Sequence, residues 1–148
     1  MHSNLDRPAG KIDIPSAWRG EELAANSDRW LTFLEAGDVA ELENAASSYL
    51  AAGGKIAAIT KERFPLPRFG AHLEKLRKTL MNGLGFEVIR GLPVANCSQE
   101  FAAAIFCGVG AHLGFARSQN AAGHILGHVR DIGADANNPN TRLSLIHI

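Results

Sequence analysis

Phe86-Glu-Val-Ile-Arg-Gly-Leu-Pro93 is followed by Ser98 and by Phe101, Ile105, Val109 and Leu113 at a spacing of four. The first stretch has strand propensity over 86–90, with Phe86 and Val88 on one side. Gly91 and Pro93 turn the chain. Ser98 is placed to cap a helix over 99–112, and the apolar repeat gives that helix an inward face. Strand, turn and helix in this order, preceded by further helices, define an α+β chain.

Upstream of this unit the patterns are helical. Leu73, Leu76 and Leu80 predict a helix over 71–81, with Glu74, Lys75, Arg77 and Lys78 facing water and Asn82-Gly83-Leu84-Gly85 ending it. Phe64-Pro-Leu-Pro-Arg-Phe69 reads as a stiff connector, because each proline removes a donor and biases its neighbour away from helix. A strand is expected over 56–60, after the Gly53-Gly54 stop. Asp38 and Glu41 have capping-box spacing at the head of a helix over 39–52, whose apolar stripe is Leu42, Ala45, Ala46, Tyr49 and Leu50. Ser27 and Gly37 bracket a short predicted helix over 28–36, with Trp30 and Leu34 on one face. Residues 1–16 read as an extended arm, and 17–148 as one domain.

Downstream, Arg117 to Arg142 is dense in glycine and polar groups. His124 and His128 are four apart, but Ile125-Leu126-Gly127 between them lacks the glutamate of a zincin, and Gly123 and Gly127 weaken a helix. On a strand that spacing separates the two by about 13 Å, too far to share a metal. Asp131 and Asp135 complete a metal constellation only on paper, and the histidines read better as hydrogen-bonding groups in a strand or loop. Asp135-Ala-Asn-Asn-Pro-Asn140 is a turn signal. Gly108, Gly110 and Gly114 lie near the end of a helix, whereas a phosphate loop needs glycines at a helix entrance.

Composition narrows the partners. The chain has 148 residues, 46% hydrophobic and 20% charged, with 15 basic and 15 acidic side chains. Zero net charge offers no broad field for nucleic acid or anionic lipid. Cys97 and Cys107 are about 15 Å apart along a helix, beyond disulfide reach, which fits free thiols in a reducing compartment. No apolar run is long enough to span a membrane, and the polar N-terminus lacks a signal core, so a cytoplasmic location is expected.

Phe86 to Pro93 resembles the early "GF-x-V-x-RGLP" segment of the TauD/TfdA-like non-haem Fe(II), 2-oxoglutarate-dependent dioxygenases. Gly108-Val-Gly-Ala-His-Leu-Gly114, Ser118-Gln119-Asn120, Gly123 to Asp131 and Asn138 to Arg142 resemble one branch of that family, in order and with similar spacing. The resemblance implies N-terminal helices and the first strands of a double-stranded β-helix, or jelly roll. It also implies an iron held by a His-x-Asp pair and a distant His, a two-histidine, one-carboxylate triad. A distant arginine for 2-oxoglutarate and a small organic substrate belong to the same pattern.

In that branch the His-x-Asp pair follows soon after the equivalent of Arg142. Here the sequence reads Leu143-Ser-Leu-Ile-His-Ile148, and no aspartate stands two residues after His147. The expectation is therefore an incomplete, N-terminal portion of a dioxygenase domain. No residue is assigned as catalytic or as a metal ligand, and neither Fe(II) nor 2-oxoglutarate is expected to bind the chain tightly. Self-association through core left exposed is expected. The alternative is a small non-catalytic α+β domain that binds a protein or ligand.

Overall fold

The computed structural model describes residues 13–92, 94, 97–118 and 123–127. The chain divides into two units, Met1–Ala116 and Arg117–Ile148. Every helix and strand among the described residues lies in the first. Residues 1–12 of the predicted arm, and His128, Asp131, Asp135, Arg142 and His147, fall outside the described residues.

The order is α1 (Gly20–Ala25), β1 (Leu31–Phe33), α2 (Ala36–Ala51), α3 (Gly70–Asn82), β2 (Val88–Arg90) and α4 (Gln99–Leu113). β1 and β2 pair in parallel, with Leu31 opposite Val88 and Phe33 opposite Arg90. Backbone bonds from Val88 to Trp30 (2.7 Å) and from Leu34 to Arg90 (2.8 Å) bracket the pair. Two helices join the strands, as a parallel pairing requires a crossover. Among the described residues the sheet has these two strands and is not closed into a barrel.

The core lies where α2 and α3 meet α4. Phe64, Leu42 and Leu73 are its largest fully buried side chains. Burying each removes apolar surface worth about 1.5–3 kcal/mol. The Phe64–Phe69 connector proves to be part of this core: Phe64, Leu66 and Phe69 are buried while Pro65, Pro67 and Arg68 face outward. Alternation across prolines, whose missing donors cost nothing at the surface, lets an irregular segment present three apolar side chains inward.

α4 starts as the sequence predicts. Ser98 Oγ accepts the Phe101 amide at 3.2 Å. Ile105 is buried, and Phe101, Val109 and Leu113 pack against the core. α3 also matches, although Leu80 is 38% exposed and so falls off the buried stripe carried by Leu73 and Leu76.

Three local expectations are corrected. The predicted helix over 28–36 is a 3-10 turn at Ser27–Arg29 followed by β1. Pairing with β2, and packing of Trp30 against Phe86 at 6.1 Å, override the local signals. Gly37 ends nothing: it sits in the first turn of α2, where a Cβ would come within 3.1 Å of the Arg68 guanidinium. Asp38 is not the N-cap but the N3 residue of a capping box whose N-cap is Glu35. It lies three residues inside α2, and its carboxylate accepts the Glu35 amide at 3.0 Å. The expected strand over 56–60 is a 3-10 turn at Ile56–Ala58, closed by the Tyr49 hydroxyl donating to Lys55 O at 2.8 Å.

Candidate functional site

The polar side chains best placed for chemistry gather where the N-terminal ends of α2 and α3 meet. Arg68 Nε donates to Asp38 Oδ1 at 2.7 Å, and its Nη2 donates to Glu35. The guanidinium beside Asp38 holds that carboxyl below the usual aspartate range, and the same pairing raises Arg68. Glu41 accepts the amides of Arg68 and Phe69 at 2.8 and 2.7 Å. The cluster therefore ties α2 to the entry of α3. Each carboxylate has a partner, so the arrangement acts as a structural clamp.

The described histidines are also built into the fold. His72 Nε2 lies 2.7 Å from Glu87 Oε1, and its ring stacks on Phe69 at 5.3 Å. That pair links α3 to the residue just before β2. His112 Nε2 donates to Phe64 O at 2.9 Å, fixing α4 on the proline-containing segment. His124 is exposed, in the second unit, beside Gly123 with its φ of +83°. Its proposed companions at 128, 131 and 135 lie outside the described residues. Among the described residues, no group of three or more His, Cys, Asp or Glu side chains is placed to hold a metal ion. A His–carboxylate pair such as His72 and Glu87 supplies two donors of a facial triad, so these residues do not fit an iron centre.

Trp18 and Trp30 flank Phe86, with Trp18 at 5.2 Å and its Nε1 donating to Leu84 O at 3.1 Å. Trp30 Nε1 donates to Leu23 O at 2.9 Å. Both indoles are therefore held in place by packing on Phe86 and by a backbone carbonyl each. Cys97 and Cys107 are not joined in a disulfide, and burial pushes the Cys107 thiol up.

A shallow groove of about 720 Å³ runs along α2, where Ala40, Asn44, Ser48 and Ala52 face Pro65 and Pro67. The Arg63 guanidinium sits 5.4 Å over the Tyr49 ring at one part of its wall. No sequence signal marks it, since α2 reads as an ordinary amphipathic helix whose small residues carry no motif. The groove can bind an extended or apolar group, but it offers no paired acid and base at hydrogen-bond range.

The apolar surface is more telling. On α4, Phe106 is 68% exposed, with Gly110 also exposed and Ala103 half-buried on the same side. A surface helix normally shows a charged face there. On β1, Phe33 is 64% exposed, and on β2, Val88 is 38% exposed. Parallel strands are ordinarily covered on both faces. Among the described residues no helix is long and apolar enough to cross a membrane.

No family model matches the chain. It is 29% identical over 128 residues to a taurine hydroxylase-like protein of Stachybotrys chartarum, covering 86% of this chain and 33% of that protein. It is 27% identical over 126 residues to the FR-33289 synthase of Streptomyces rubellomurinus, covering 85% and 37% respectively. The chain thus spans about a third of the length of the curated relatives it matches. These similarities are weak and partial, and they are consistent with a distant relationship to the TauD/TfdA-like enzymes.

Proposed function

We propose that this chain corresponds to the N-terminal helices and first strands of a non-haem Fe(II), 2-oxoglutarate-dependent dioxygenase, and that it does not carry out the oxidation by itself. The observation that carries the reading is the match itself: most of this chain aligns with about a third of each relative. The polar groups of the first unit fit this reading, since Arg68, Glu41, His72 and His112 hold elements together. In this reading the β1–β2 pair belongs to the start of a jelly roll, and the exposed faces around Phe106 and Phe33 are the ones the rest of such a domain covers. Alone, the chain would associate through them.

Anaerobic calorimetry with Fe(II) and 2-oxoglutarate tests this. The expected result is no stoichiometric binding to the 148-residue chain. Tight one-to-one binding would overturn the proposal that the chain lacks a working site. The nucleotide sequence beyond codon 148 tests the ancestry separately: a His-x-Asp pair and a later His in the extended frame are expected.

The α2 groove favours a second reading, a non-catalytic ligand-binding domain. That reading requires a stable monomer and a genuine stop at codon 148.

A further inference from the structure

We draw no further inference here: the strongest candidate, the outward apolar face of α4 around Phe106, belongs to the reading already given, and nothing in the structure shows what covers it.

Discussion

The Glu41 carboxylate, in the middle of α2, accepts the backbone amide of Phe69 at the head of α3, at 2.7 Å. Its other oxygen takes the Arg68 amide. Phe69 occupies the N-cap position without a side-chain acceptor, and Glu41 satisfies the two backbone amides that lead into α3 from another helix. Glu41→Ala is expected to destabilise the protein by about 1–2 kcal/mol, the usual cost of losing an N-terminal cap. Glu41→Gln should cost less, since its amide oxygen still accepts. Urea melts of the two variants check this, and equal stability of wild type and Glu41→Ala would remove the capping role.

Gly108 and Gly110 share α4 but face different surroundings. A Cβ at Gly108 would lie 2.4 Å from the buried Phe64 ring, whereas one at Gly110 meets nothing within 4 Å. Gly108→Ala should therefore destabilise by about 1–3 kcal/mol through overpacking. Gly110→Ala should stabilise by up to about 1 kcal/mol, because alanine loses less backbone entropy in a helix. Thermal melts that rank the two variants the other way would contradict the packing of α4 on Phe64.

Asp38 gives the fold an acid-sensitive contact. Its hydrogen bond to Arg68 lowers its pKa from the ordinary value of 3.8. The folded state thus holds the proton less tightly than the unfolded state. The contribution is full above about 3.8 and is lost as pH falls through the lower folded value. Asp38→Asn should flatten this part of the acid limb in denaturation midpoints measured from pH 6 to pH 2. An unchanged limb would show that the pair adds nothing in solution, as many exposed ion pairs do.

Phe106 should report on association. Replacing this exposed ring with serine is expected to reduce sedimentation of oligomers and binding of a hydrophobic dye, with stability changed by no more than about 0.5 kcal/mol. A wild-type chain that sediments as a monomer, melts cooperatively and ignores the dye would refute the expectation of exposed core.

Some of this molecule was legible without coordinates. Ser98 and the spacing of Phe101, Ile105, Val109 and Leu113 specify α4, because capping and helical periodicity act over a few residues. The leucines of α3 and the stripe of α2 are readable for the same reason. β1 was not, since Leu31–Phe33 becomes a strand only by pairing with residues 57 positions away, and local signals there favour a helix. The proline segment looks like a connector in the sequence, because its burial depends on three helices closing over Phe64, Leu66 and Phe69.

The candidate site divides in the same way. The sequence by itself determined the resemblance, through ordered short motifs from Phe86 to Arg142, and the helices that local periodicity encodes. Only the tertiary structure decided what the polar residues do. Glu41 meets Phe69, Arg68 meets Asp38, and His72 meets Glu87 across 28, 30 and 15 residues respectively. Such contacts depend on the relative placement of whole elements, which long-range packing fixes and residue spacing does not record.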